Sequence, residues 1–258
     1  MKKFTAFLLF ICLFAHLTNA QRRSPAPSRE TGYDKPASVS VRVGPTLLFG
    51  DLKESRSAWT AGAQLTLPVS RMLSVGLAGD LGRLRGEESA FYHARSDCRF
   101  GQGTLVGMLD LLQLGKEKAR LSEFNLYGGV GLILFNAKAY DLTTDQLLRL
   151  TNNENSFRSR DGIEQRGRRG IRNTHELSVP VGVRFSSPLS RRLSVTGDIR
   201  YTFVRTDKLD ATLDNNNLTL KDGRAQTEQI LYSQNTHDRF GALSVGVVYY
   251  FGERQKND

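Results

Sequence analysis

The chain has 258 residues, with 36 Lys and Arg against 26 Asp and Glu and a formal net charge of +10. That length holds one large domain or two small ones. Mean hydropathy is −0.36, and no uncharged apolar run reaches the ~18–20 residues of a spanning helix, which excludes a helical membrane protein; 2 Cys and 7 Pro exclude a disulfide scaffold and a collagen-like or long disordered chain.

Residues 1–20 read as a secretory signal peptide: Lys2 and Lys3, a short apolar run, then small residues ending at Ala20. Its removal leaves Cys98 as the one cysteine and takes the formal charge from +10 to +8 through loss of the two lysines. Residues 21–37 carry three Pro and almost nothing apolar, so they predict a flexible periplasmic lead.

From Ser38 onward the hydropathy has period two. Val39, Val41, Val43, Pro45, Leu47 and Phe49 alternate with Ser40, Arg42, Gly44 and Thr46. Trp59 to Leu67 and Leu73 to Leu81 repeat the pattern. Leu105 to Leu111 and Phe124 to Leu134 follow, then Leu177 to Phe185. The clearest case is Leu193 to Phe203, where Leu193, Val195, Ile199, Tyr201 and Phe203 oppose Ser194, Thr196, Asp198, Arg200 and Thr202; Leu243 to Phe251 closes the set. Successive strand side chains point to opposite faces, so these are eight strands with one apolar and one polar wall. The Leu193 to Phe203 run matches the ~9–11 residues of a tilted membrane strand better than the ~5–6 of a soluble one.

The connections alternate in length. Short links lie near 70–71, 115–122 and 187–191; long ones span about 85–99, 141–172 and 207–236, with a modest loop at 51–57. Short turns on one side and long loops on the other are the plan of an up-and-down outer-membrane barrel. Lipid offers no hydrogen-bond partner, so such a sheet must close on itself. A secreted β-sandwich is the competing fold, disfavoured by strand length and by the loop rhythm. The predicted class is therefore all-β: an eight-stranded antiparallel up-and-down transmembrane β-barrel over residues 38–252, with a polar tail at 253–258.

In that fold the polar wall faces the lumen. Arg42, Arg184 and Arg200 are placed to meet Asp80, Asp110 and Asp198 in a paired network that blocks the centre, because singly buried charges are very costly. Phe49, Trp59, Tyr201 and Phe203 predict one aromatic girdle; Phe124, Phe185, Tyr249 and Phe251 predict the other. Pro45 and Pro180 each remove a ladder donor, so a bulge or local gap is expected at both.

With these residues in view, the chain resembles the stand-alone outer-membrane β-barrel domain of diderm bacteria, of OmpA/OmpX-type architecture. The matching segments are GPTLLFGDL at 44–52, YGGVGLILFNAKA at 127–139, ELSVPVGV at 176–183, RRLSVTGDIRYTFVRTDKLD at 191–210 and DRFGALSVGVVYYFG at 238–252. The most specific is the corner at 206–210, where Lys208 replaces a frequent aromatic. The resemblance implies a cell outer-membrane location with both termini periplasmic, and no catalytic residue. The aromatic last strand is similar to the tag read by barrel-insertion machinery, which is thereby an implied partner.

No catalytic site, metal site or cofactor is predicted, and the protein is read as a non-enzyme. His93, His175 and His237 lack close-spaced ligands. His175 and Ser178 are three apart on a predicted strand and point to opposite faces. The segment 158–172 carries Arg158, Arg160, Arg166, Arg168, Arg169 and Arg172 against Asp161 and Glu164. Phosphates of outer-membrane lipid (lipopolysaccharide) are its expected partner, because arginine forks pair bidentately with phosphate; pairing with the acidic loop at 207–236 is the alternative. Nucleic acid is not an expected partner of an exported barrel. The predicted role is structural or interaction-based: envelope integrity, adhesion, or an accessory part of surface-export machinery with envelope or secretion-complex proteins as partners. A small porin-like channel and a lipid A-modifying barrel enzyme are the alternative readings.

Overall fold

The computed structural model describes residues 35–50, 52, 54–89, 93–114, 122–150, 174–206, 209–211 and 237–252. Eight long strands dominate: β1 (Ser38–Phe49), β2 (Ala58–Pro68), β3 (Leu73–Glu88), β4 (Ala94–Asp110), β5 (Glu123–Asp141), β6 (Thr174–Pro188), β7 (Leu193–Val204) and β8 (Arg239–Tyr250). Each pairs antiparallel with the next, and β8 pairs with β1, so the sheet closes. Two short segments add to the rim: Glu54–Arg56 pairs with β3 and Leu147–Leu150 with β5.

Closure carries a stagger. Stepping across paired residues from Val39 leads through Leu65, Leu77, Leu105 and Val130, then in unchanged register across a short break in the ladder to Val179, and on through Phe203 and Arg239 back to β1 at Phe49. A stagger of this kind tilts the strands ~35–45° from the barrel axis. Ten residues along a strand rise about 33 Å, which that tilt projects to roughly the 25 Å height of a lipid-facing belt.

The wall is inside-out. Val41, Leu81, Leu105, Ile199 and Val245 are 57–63% exposed on the outer face, while their neighbours Arg42, Asp80, Thr104, Asp198, Arg200 and Ser244 are buried inside. A contiguous exposed apolar surface of this size marks a membrane or a partner rather than water. Aromatics edge it at both ends. Phe49 stacks near Tyr201 (5.8 Å) and Tyr201 meets Phe203 edge-on (5.1 Å) at one end; Tyr249 meets Phe251 edge-on (5.9 Å) at the other.

The barrel has a turn end and a loop end. Two turns share one design, Pro68-Val-Ser-Arg-Met-Leu73 and Pro188-Leu-Ser-Arg-Arg-Leu193. In each the serine hydroxyl accepts the leucine amide, Leu73 to Ser70 and Leu193 to Ser190, both at 3.1 Å. The prolines within strands behave as expected: β1 and β8 pair up to Val43↔Val245 and resume at Thr46↔Ala242, leaving an unpaired step beside Pro45. A gap of the same kind flanks Pro180, between Gly128↔Val181 and Gly131↔Ser178. Neither shifts the register.

One expected loop is corrected. Residues 85–99 are mostly strand, since β3 runs to Glu88 and β4 starts at Ala94. Above the belt the polarity of the wall reverses: Leu84, Cys98 and Phe100 point inward and are buried, while Arg85, Arg95 and Arg99 are exposed. Outside lipid the outer face is solvated by water, so charge moves out and the apolar residues fill the core.

Candidate functional site

The lumen is filled in three layers. The middle layer is the charged network. Arg42 on β1 donates from Nη2 to both Asp80 carboxylate oxygens on β3, at 2.7 and 2.9 Å. Arg200 on β7 donates to Asp80 Oδ2 from the opposite side, at 2.7 Å. Arg184 on β6 donates from Nε to Asp198 at 3.0 Å, and Arg200 Nε lies 3.8 Å from the same carboxylate. Thus Arg42, Asp80, Arg184, Asp198 and Arg200 come together as one ring across the barrel. Their side chains are 0–6% exposed. Charges at this depth persist because each is paired and hydrogen-bonded.

Two members of the ring escaped sequence reasoning. Gln64 on β2 accepts from Arg184 (2.9 Å) and Arg42 (3.4 Å), and its amide donates to Thr66 Oγ1 and Met108 Sδ, both at 3.1 Å. Tyr127 on β5 donates its hydroxyl to Asp198 at 2.9 Å, and the Arg184 guanidinium lies over its ring at 5.6 Å. Their inward parity was the available signal. Glycine makes the room: a Cβ on Gly62 would overlap the Asp80 carboxylate, and one on Gly182 would sit 2.5 Å from Tyr127 Oη. Beside the ring, a cavity of about 10 Å³ lined by Arg42, Thr104, Arg184 and Arg200 remains, roughly the space of one water.

Asp110 stands apart from the ring, at the turn end. Its carboxylate meets the Lys35 ammonium at 3.3 Å and accepts the amides of Leu112 (3.2 Å) and Phe124 (3.3 Å). Lys35 also meets Glu123 at 3.0 Å, and Glu123 accepts the Tyr250 hydroxyl at 3.2 Å. Phe251 N donates to Ala37 O at 2.9 Å. The residues just ahead of β1 thereby tie across the lower mouth. Burial alone would lower the Lys35 ammonium, but Glu123 and Asp110 outweigh it and raise it above its ordinary 10.5. A raised lysine contributes stability that is complete below pH 10.5 and is lost as pH climbs through the higher folded value. In detergent, the melting temperature of Lys35→Met should lie below wild type at pH 8, and the difference should close above pH 10.5; a constant difference would reject the latch.

The third layer, at the loop end, is apolar. Leu48, Leu84, Cys98, Phe100, Ile133, Phe135, Val204 and Phe240 form one buried cluster, and Phe100 meets Phe240 at 5.1 Å. Leu209 and Ala211, beyond the end of β7, enter the same cluster and are 0% exposed. The chain turns in through Ala211 at φ 59°. Asp238 fastens the turn by accepting the Leu209 amide at 2.6 Å. The corner singled out at 206–210 is thus, in its described part, a stopper in the barrel mouth.

His93 at the rim bonds Ser89 O (3.1 Å) and Thr143 Oγ1 (2.9 Å). His175 is exposed outside while Ser178 is buried inside, as their spacing predicts. Arg158, Arg160, Arg166, Arg168, Arg169 and Arg172 lie outside the described residues.

No family model matches the chain, and no curated protein matches it. Among solved structures, Neisserial surface protein A is similar at 14% identity over 83% of this chain and 97% of that one, with a TM-score of 0.42. Ail, the attachment invasion locus protein of Yersinia pestis, is 12% identical over 85% of this chain and 100% of its own, with a TM-score of 0.41. A major outer membrane protein from Thermus thermophilus is 14% identical over 84% of this chain and 100% of its own, at 0.46. By its own strand order and closure, the chain has the eight-stranded up-and-down architecture of the small OmpA/OmpX-type barrels.

Proposed function

We propose that the protein is an integral outer-membrane barrel with a sealed lumen, acting as a structural or interaction protein rather than as a pore or an enzyme. Its export by a signal peptide, its termini and turn end in the periplasm, and its loop end outside belong to the same reading. One observation carries it: an apolar belt between two aromatic girdles surrounds a centre plugged at three levels. The belt needs acyl chains to cover it, and the three filled levels among the described residues argue against a water-filled path for a solute. What such a barrel has left to offer partners is its loop end, where lipopolysaccharide and envelope or secretion-complex proteins are the proposed contacts.

The test is reconstitution of the folded chain. It should float with phospholipid vesicles and stay in them after a high-salt wash. In planar bilayers it should show no stable conductance steps. Sustained ion steps from the wild type would overturn the sealed role in favour of a small channel. A chain that stays soluble without detergent and never partitions into vesicles would overturn the membrane reading.

A further inference from the structure

Strands β3, β4 and β5 continue past the apolar belt, and the first outward rung above it is basic. On β3, Leu81 is followed on the same face by Arg83; Arg83 stands directly opposite Arg99 on β4, which stands opposite Asn136 on β5. Lys138, the next outward residue on β5, lies diagonally from Arg99. Directly opposed strand residues hold their Cβ atoms ~5 Å apart, and like charges there repel. Of the neighbouring carboxylates, Glu87 accepts from Arg56 at 2.9 Å, and Asp97, one rung further up, stands between Arg85 (3.9 Å) and the directly opposed Lys138, one carboxylate for two cations. Among the described residues, Arg83, Arg99 and Lys138 have no ion-pair partner. A sheet that sets two guanidiniums directly opposite each other, with an ammonium nearby and one carboxylate shared one rung higher, has a place for an anion.

The surface immediately below fits an acyl chain. In the row under Arg83 and Arg99, Leu81 pairs with Gly101 and Gly101 with Leu134; one row lower, Gly79 pairs with Gly103 and Gly103 with Leu132. A Cβ on Gly79, Gly101 or Gly103 would meet nothing within 4 Å. The glycines therefore leave an open groove, flanked by Leu81, Leu132 and Leu134, that ends at Arg99. Two residues along a tilted strand lift Arg83 about 5 Å above Leu81, the step from hydrocarbon to headgroup.

We propose that Arg83, Arg99 and Lys138 bind the phosphate of a lipid headgroup in the leaflet around the loop end, with an acyl chain of that lipid lying in the Gly79–Gly101–Gly103 groove. The phosphate converts the Arg83–Arg99 repulsion into two charge-assisted contacts, and guanidinium forks suit its oxygens. This site is built from strand residues and uses none of the arginines of the segment at 158–172. It rests on the membrane reading above.

The experiment uses folded protein in detergent micelles, with diphosphorylated lipid A, the same glycolipid stripped of its phosphates, or inorganic phosphate alone. Native mass spectrometry should show wild type retaining the diphosphorylated lipid at least ~10-fold more than the stripped one, about 1.4 kcal/mol, with millimolar inorganic phosphate failing to displace it. The variant Arg83→Gln/Arg99→Gln/Lys138→Gln should lose that preference yet still float with vesicles. Thermal melting adds a change of sign: Arg83→Gln, relieved of repulsion, should match or exceed wild type without lipid and fall below it with the diphosphorylated glycolipid. Equal retention of both glycolipids by wild type, full displacement by inorganic phosphate, or an unchanged preference in the triple variant would overturn the site while leaving a floating barrel. Failure of wild type to float would overturn the membrane reading and the site with it.

Discussion

Asp80→Ala should be among the most damaging single substitutions in the barrel, lowering unfolding free energy by about 3–5 kcal/mol. Asp80 is the carboxylate shared by Arg42 and Arg200, at 2.7 Å from each. Its loss strands two guanidiniums in a lumen with no room for a hydration shell. The single Trp59, 48% exposed in the girdle at the loop end, reports urea unfolding from vesicles by its fluorescence. Two comparisons sharpen the result. Asp97→Ala removes a half-exposed pair with Arg85 at 3.9 Å, which is worth about 0–1 kcal/mol. The triple change Asp80→Leu with Arg42→Met and Arg200→Met keeps the Arg184–Asp198 pair and strands nothing, so it should be milder than Asp80→Ala alone. If Asp80→Ala and Asp97→Ala shift the midpoint equally, the central ring is not what supports the fold.

Leu209→Ala should cost roughly 2–5 kcal/mol and, unlike a change in the wall, should open the barrel mouth locally. Leu209 is wholly buried among Leu48, Leu84, Phe100, Phe135 and Phe240. Cys98 lies in the same cluster as a buried free thiol, so it doubles as a probe. In wild type it should react slowly with a maleimide. In Leu209→Ala the rate should rise about 30-fold or more, since each 1.4 kcal/mol of easier opening is tenfold. Labelling that stays slow in a destabilised Leu209→Ala would show that the segment does not cover the lumen.

The parts of the fold that could be read from residues are those where lipid imposes a single rule. Leu193 to Phe203 alternates cleanly because every outward position must be apolar, and the structure places that strand at Leu193–Val204. The rule lapses at the rim. On β3 and β4 above the belt, outward residues such as Arg85 and Arg95 are charged and exposed, and the inward ones, Leu84, Cys98 and Phe100, form an apolar core. The alternation survives there with its sign reversed, so a search for apolar faces ended β3 and delayed β4. In the lumen, parity assigns Arg42, Asp80, Arg184, Asp198 and Arg200 to one wall, and opposite charge is the reason to expect their meeting. Parity carries no information on height, so nothing separated Asp110 from that ring or matched it to Lys35. Gln64 and Tyr127 share that inward parity but carry no charge to pair, and their partners, Arg184 and Asp198, lie across the barrel at sequence separations that no local pattern encodes. Leu209 looked like part of a loop because the cluster that receives it comes from five other strands.

The gap beside Pro45 bears on how the chain assembles. Seven of the eight strand pairs join neighbours in sequence, but β1 must find β8, as in Val41↔Val247. Bringing such distant segments together carries the largest loop-closure entropy, and long-range pairing is slow. Here the late-forming seam is also missing rungs between Val43 and Thr46. The hairpins can zip early while the seam waits, leaving two open edges that invite pairing with other chains. Once shut, the β8 carbonyl that faces Pro45 has no ladder donor, since proline carries no N–H, and the amides that flank the missing rungs should exchange sooner than those of the intact ladder.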